Sequence, residues 1–396
     1  MNRIEKLIQE LCPNGVPFYQ LGQITKNLDN LRRPVRKDAR AAGEYPYYGA
    51  NGVQDYIDSY IFDGTFLLIG EDGSVMNDDS TPVLNWAEGK IWVNNHAHVL
   101  EAADENVSLR YLFYALATTN ISRYVTGGSR AKLNKGNLDL IRVPVPPIQV
   151  QREIVKILDL FTELEAELEA ELEARRKQYE HYRDQLLTFP ENGGATWIEL
   201  GALGTFVRGR GIQKSDLRET GKPAIHYGQV HTSYGVSAAS SISNIEYEQY
   251  QKASLAQPGS LIIATTSEDD DDLAKAVAWL GEEPVAVSGD AVIFEHSLEP
   301  RYMAHFFRTG EFQYHKRKWI TGAKVRRISP ASLAKIRMKV PSRDEQTRIA
   351  DVLDKFDALM NDLSSGLPAE IEARRKQYEY YRDKLLTFKE LQPEAA

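Results

Sequence analysis

One stretch constrains this chain more than any other. Ala174-Arg175-Arg176-Lys177-Gln178-Tyr179-Glu180 runs on to Arg183-Asp184-Gln185-Leu186-Leu187-Thr188-Phe189. Near the other end, Ala373-Arg374-Arg375-Lys376-Gln377-Tyr378-Glu379 runs on to Arg382-Asp383-Lys384-Leu385-Leu386-Thr387-Phe388. Only His181/Tyr380 and Gln185/Lys384 differ between the copies. A near-identical copy half a chain away means internal duplication, which limits the folds open to the rest.

The first copy ends a long helical pattern over 151–187. Apolar residues fall at Ile154, Leu158, Phe161, Leu164 or Leu168, Leu172, Tyr179, Tyr182 and Leu186, in steps of about three and four. Glu-Leu-Glu-Ala repeats three times from Glu163 to Ala174, all strong helix formers. Pro144, Pro146 and Pro147 precede the pattern, and Pro190 and Gly193-Gly194 follow it. At ~1.5 Å per residue it makes a rod of roughly 55 Å, whose seam needs a partner. The second copy supplies one. Its pattern starts near Asp344 with Ile349, Leu353, Phe356, Met360 and Leu363. Ser364-Ser365-Gly366-Leu367-Pro368 predicts a break, with Pro368 restarting the helix, and the seam resumes at Ile371, Tyr378, Tyr381 and Leu385.

The remaining segments also match each other. Phe18-Tyr19-Gln20-Leu21-Gly22 parallels Trp197-Ile198-Glu199-Leu200-Gly201, and Arg110-Tyr111 parallels Arg301-Tyr302. Tyr124-Val125-Thr126-Gly127 parallels Trp319-Ile320-Thr321-Gly322, and Ile141-Arg142 parallels Ile336-Arg337. Each globule mixes short β-rich runs (Phe66-Leu67-Leu68-Ile69; Leu261-Ile262-Ile263-Ala264; Ala291-Val292-Ile293-Phe294) with one helix, over 109–123 and 300–317. The reading is α+β: globules at 1–146 and 191–341, and helical segments at 147–190 and 342–396.

A chain of 396 residues is too long for one core. No apolar run reaches the ~18 residues of a membrane span, and the polar stretch at Met1 to Leu11 lacks the apolar core of a signal peptide. A single cysteine, Cys12, excludes an intrachain disulfide and fits a reducing cytoplasm. The net charge of −8 weighs mildly against a nucleic-acid partner if evenly spread. It is not: the helical segments hold most of the excess acid, while Arg301 to Arg327 carries eight basic residues against Glu311 alone.

With its paired helices and the stretch "ARAAGEYPYYGANGVQDYIDSYIFDGTFLLIGEDGSV", the chain resembles the DNA specificity subunit of type I restriction–modification enzymes. The resemblance covers nearly the whole sequence. It implies two pseudo-symmetric α/β target recognition domains, each reading half of a bipartite, asymmetric DNA site. The two helical regions would pair as an antiparallel coiled coil that spaces the domains and docks two modification (methyltransferase) subunits, through which the motor-nuclease subunits join. Base-contacting positions do not transfer by resemblance, but two heads on a paired rod would fix half-site spacing by geometry.

Candidate DNA contacts follow from charge and residue type. Arg32, Arg33, Arg36, Lys37 and Arg40 precede Tyr45, Tyr47 and Tyr48; Arg208, Arg210, Gln213 and Lys214 sit at the matching distance in the second half. An ordinary solvated loop is the competing reading for both. Gln229, His231 and Tyr234 follow Tyr227-Gly228 and suit either base reading or a hydrogen-bonded loop. The favoured patch surrounds the Thr-Gly turns: Arg123, Ser129, Arg130, Lys132 and Lys135 in one half, and Lys316, Arg317, Lys318, Lys324, Arg326 and Arg327 in the other. A Gly turn beside cations offers N–H groups and positive charge to phosphate.

The acidic run 268–272 reads as a solvated loop repelled by DNA rather than a metal site. His96 and His98 read as structural or polar-contact histidines, since zinc would need two more ligands. Arg175-Arg176-Lys177 and Arg374-Arg375-Lys376 suit salt bridges or partner-subunit contacts. No phosphate-binding loop, Asn-Pro-Pro-aromatic methyltransferase motif, dinucleotide-type glycine cluster or Gly-x-Ser-x-Gly is present, so the expectation is a chain that binds without catalysis, cofactor or metal. Two rivals remain. One is a self-contained DNA-modifying enzyme, which methyl transfer by the chain alone would reveal. The other is a coiled-coil protein-interaction scaffold, which would lack salt-dependent DNA binding.

Overall fold

The computed structural model describes residues 3–128, 130–189, 196–361 and 367–392; Ser129, Leu363 and most of the expected break before Pro368 lie outside them. The chain divides into two compact units, Met1–Ala166 with Ala373–Ala396, and Glu167–Glu372.

Unit 1 is built on a six-stranded sheet. Its order is Thr25–Asn27, Ala97–Ala102, Phe62–Gly70, Leu84–Val93, Ala42–Gly49 and Gly52–Ile57. All neighbours are antiparallel except Ala42–Gly49 against Leu84–Val93, where Tyr47 faces Trp92. The run Phe66-Leu67-Leu68-Ile69 has no polar alternation because both faces are covered. Leu67 and Ile69 join the core beneath the helix Leu109–Leu116, whereas Phe66 and Leu68 pack with Ile91 and Val99 on the opposite face.

Unit 2 repeats this logic. A five-stranded sheet runs Gly204–Arg208, Ala291–His296, Leu261–Ala264, Ala276–Trp279, Ser237–Ala238. Leu261, Ile263 and Phe294 face one core; Ile262, Ala264 and Ile293 face the other. A four-stranded sheet, Ser243–Ile245, Lys222–Ile225, Val285–Val287 and Ser254–Ala256, has no counterpart among the described residues of unit 1.

Each globule is closed by a short ladder between its start and its end. Phe18–Gln20 pairs with Arg142–Pro144, and Thr196–Glu199 pairs with Arg337–Val340. The glycine that follows the first strand is required in both. A Cβ on Gly22 would lie 2.9 Å from that of Asp139, and one on Gly201 would lie 2.9 Å from that of Ala334.

The helix Ile148–Leu187 is continuous and begins just after Pro147, a little earlier than the apolar spacing predicts. The second copy forms two helices, Arg343–Asn361 and Leu367–Leu386. In unit 1, Phe161 stacks on Tyr381 at 5.7 Å and meets Tyr378 at 6.1 Å, while Glu165 bonds Arg375 at 2.5 Å. Partner numbers fall as helix numbers rise, so the pair is antiparallel. Ile154, Leu158 and Leu385 are buried in the same seam. In unit 2, Tyr179 and Tyr182 meet Phe356, and Leu172 packs on the core that buries Ile349 and Leu353. Of the two register choices, Leu168 is half-buried and Leu164 is exposed. Leu186 is half-buried and Ile371 is buried. Arg175 and Lys177 bond Glu171 and Glu173 one turn back.

The helices expected over 109–123 and 300–317 are each interrupted. The hydroxyls of Thr118 and Thr119 donate to the Ala115 carbonyl and stop the first at Leu116. Thr309 caps a new helix, Gly310–Arg317, after the first ends at Phe306.

What fastens each globule to its helix is also duplicated. Buried Gln151 accepts from the Ser108 N–H and donates to the Pro146 carbonyl; buried Gln346 accepts from the Glu299 N–H and donates to the Pro341 carbonyl. Arg110 and Tyr114 both donate to Asp159, at 2.8 and 2.6 Å. Arg301 and His305 both donate to Asp354, at 2.9 and 2.9 Å. Burial pushes the His305 pKa down against the pull of Asp354, leaving a neutral ring. Its Nδ1 lies 3.3 Å from the Tyr179 hydroxyl. Burial opposes charge on Asp354, but the His305 and Arg301 bonds keep its pKa below normal. Asp354→Asn keeps the shape and removes the charge, leaving Arg301 and His305 short of an acceptor. The expected loss is roughly 1–3 kcal/mol, below the value for a fully buried pair because Arg301 and Asp354 are both partly exposed. That lowers the melting temperature by several degrees, which scanning calorimetry reads directly.

Candidate nucleic-acid interface

Both Thr-Gly turns are hairpins of one design. In residues 126–132, Thr126 and Lys132 exchange backbone hydrogen bonds of 2.8 and 2.7 Å; in residues 321–327, Thr321 and Arg327 do so at 2.9 and 2.8 Å. Gly127 and Gly322 have φ of 97° and 90°, and a Cβ on either would strike a carbonyl oxygen at 2.1 Å. A short helix follows each, capped by Asn134 or Ser329. Arg130, Lys132, Lys324 and Arg327 are exposed on these arms. Lys132 also lies 3.6 Å from Glu71, and Lys135 bonds Asp139. Arg123 is exposed and folds over the Tyr124 ring.

The second hairpin is held by acid. Arg326–Arg327 pairs with the strand Thr266–Ser267, which leads directly into the acidic run. Arg326 bonds Asp270 at 2.9 Å, and Arg317 lies 3.8 Å from Asp271. Lys316 is buried and donates to the carbonyls of Asp271 and Leu273. Burial pushes its pKa down to about 8, against the pull of the neighbouring aspartates. The acidic run, expected as a solvated loop kept away from DNA by repulsion, is ion-paired with these cations. Lys316 is committed to holding it, so the sequence-based expectation of a DNA-facing Lys316 gives way to a structural role. Lys318 is exposed and folds over Trp319.

Other candidates are also committed internally. Arg32 bonds Glu71 at 2.7 Å and the Ala97 carbonyl at 2.7 Å, with Asp29 at 3.4 Å. His98 bridges Asp29 and the Leu133 carbonyl. Asp29, Glu71 and His98 bring possible metal-ligand atoms within 4.8 Å of one another, but the Arg32 cation already occupies that charge. Burial works against the Asp29 carboxylate, yet hydrogen bonds from His98, Val99 and Asn27 hold its pKa below normal. Gln229 is spent on Ser243 and the His226 N–H, and His231 on the Thr266 carbonyl. Arg33, Arg36, Lys37, Arg208, Arg210 and Lys214 are exposed, and Tyr48 is half-buried. Arg40 covers the Tyr47 ring and bonds Asp55.

Sequence reasoning missed a polar cleft of about 640 Å³ in unit 1, beside the first hairpin. Asn51, Gln54, Asp72, Ser74, His96, Arg130 and Lys132 line it, drawn from four separate segments. A run of separated polar residues carries no periodic signal, so nothing short of the fold brings them together.

Each globule thus carries exposed cations on a matching hairpin and is fastened to a helix of an antiparallel pair. The chain matches the type I restriction modification DNA specificity domain twice, over residues 13–174 and 194–373, and it belongs to that family. Its members are non-catalytic DNA-recognition subunits of type I restriction–modification systems, working with methyltransferase and restriction subunits. The chain is 35% identical to the putative type I restriction enzyme specificity subunit S.HindORF215P of Haemophilus influenzae, over 97% of this chain and 98% of that one. It is 33% identical to the EcoR124I/EcoR124II specificity subunit of Escherichia coli, over 98% and 97%. Its fold is similar to the crystal structure of the type I system S subunit from M. genitalium, with a TM-score of 0.55 at 14% identity over 94% of this chain and 96% of that one. Among the described residues no helix is long and apolar enough to cross a membrane.

Proposed function

We propose that this chain reads a bipartite, asymmetric site on double-stranded DNA, one half per recognition domain, within the cytoplasm. The domains are 1–146 and 191–341, with spacers 147–190 and 342–396. The paired spacers dock methyltransferase subunits, two by the symmetry of the repeat, and through them the motor-nuclease subunits. The observation that carries the reading is the duplicated hairpin, 126–132 and 321–327, which presents exposed cations at the same point of both globules. Phosphate contacts of this kind position a protein on duplex DNA without specifying sequence. A chain of similar fold, with a TM-score of 0.58 at 16% identity, comes from a solved structure on complex assembly of the type I system and supports the partner assignment.

The test is to produce the chain with its methyltransferase subunits and sequence the methylated DNA. The expected result is one motif with two different specified halves and a constant gap. A continuous or palindromic motif would overturn the reading.

A further inference from the structure

We propose that the cleft of unit 1 is where base edges are read, with Asn51 and Gln54 as the residues that set specificity and adenine as the base they suit. This rests on the DNA reading above and adds residues that neither charge nor motif singles out.

The cleft lies between the turn that joins Ala42–Gly49 to Gly52–Ile57 and the hairpin 126–132. Its lining combines the cations Arg130 and Lys132 with the amides of Asn51 and Gln54 and the imidazole of His96, all exposed. Asn51 donates through Nδ2 to the Ser74 hydroxyl at 2.8 Å, which leaves its Oδ1 to accept. Buried Asn94 donates to Gln54 Oε1 at 3.4 Å, which leaves Gln54 Nε2 to donate. The Asn94 Oδ1 in turn accepts from the His96 N–H at 2.8 Å, and Asp72 holds His96 Nδ1. The Gln54 amide lies against Gly49, where a Cβ would come within 2.1 Å of Nε2 and displace it.

One acceptor on Asn51 and one donor on Gln54, lining the same cleft, match the major-groove edge of adenine, which offers an N6 donor beside an N7 acceptor. Guanine offers two acceptors there and suits a cation instead. In unit 2 the strand Thr266–Ser267 leads instead into the acidic run, where Asp270 pairs with Arg326.

The experiment uses the full chain assembled with its methyltransferase subunits, assayed on duplexes in which every specified base pair is varied in turn. Asn51→Ala and Gln54→Ala are expected to lower discrimination at an adenine in one half-site by roughly 10- to 100-fold. The other half-site and the salt dependence stay unchanged. Gln54→Glu replaces a donor with an acceptor and is expected to shift preference toward cytosine at that position. Arg130→Ala instead weakens all duplexes alike and lowers the salt slope by about one. If the amide variants melt like the wild type and keep every letter of the site, the cleft assignment is overturned. It is overturned as well if both halves lose letters together. A wild-type complex with no two-part motif would instead remove the underlying DNA reading.

Discussion

Arg326→Glu combined with Arg327→Glu is expected to weaken binding to duplex DNA of any sequence by about 100-fold near 0.15 M salt, and to lower the salt slope by about two. Arg327 is exposed on the hairpin arm and is the simpler of the two. Arg326 is half-buried against Asp270 and donates to the Gly322 carbonyl. DNA must therefore compete with an internal carboxylate for it, and an acidic residue there would face Asp270 directly. Contacts to phosphate position a protein without specifying sequence, so on this reading the letters of the site should not change while affinity falls. Titrations of one specific and one random duplex at several salt concentrations separate these effects. An unchanged slope would remove the hairpin from the DNA interface.

Deleting one Glu-Leu-Glu-Ala unit between Glu163 and Ala174 is expected to change the gap between half-sites while leaving both sets of letters intact. The repeat lies inside the continuous helix Ile148–Leu187 and contributes little to either globular core. Four residues shorten the helix by ~6 Å and add a turn of roughly 40°. That is close to two base pairs of rise, since successive pairs of one strand stand ~3.4 Å apart. The opposing helices Arg343–Asn361 and Leu367–Leu386 keep their lengths, so part of the change must be absorbed along the seam. Sequencing methylated DNA from cells that carry the variant gives the new gap. New letters in either half would contradict the spacer role.

Much of the architecture was legible because it rests on periodicity and repetition. Ile154, Leu158 and Ile349 fall in the seam that their spacing predicts, and Pro147 marks the helix start. Thr126-Gly127 and Thr321-Gly322 marked matching turns, since only a residue without a Cβ fits beside the facing carbonyl. Burial of charge was less legible. Arg32 and Lys316 look like surface cations in the sequence, yet each is held by acceptors far away along the chain: Glu71 for one, the carbonyls of Asp271 and Leu273 for the other. The breaks after Leu116 and Phe306 had local causes in Thr118, Thr119 and Thr309, which the apolar pattern masked. The cleft was invisible because Asn51, Asp72, His96 and Arg130 share no spacing rule.

The matched fastening of each globule has an evolutionary consequence. Gln151 with Asp159, and Gln346 with Asp354, grip main-chain and side-chain groups supplied wholly by the globule that precedes them. A gene segment encoding one head could thus be replaced by recombination and still seat correctly, provided it brought its own arginine. One globule could then be exchanged as a cassette while the helix that anchors it is left untouched.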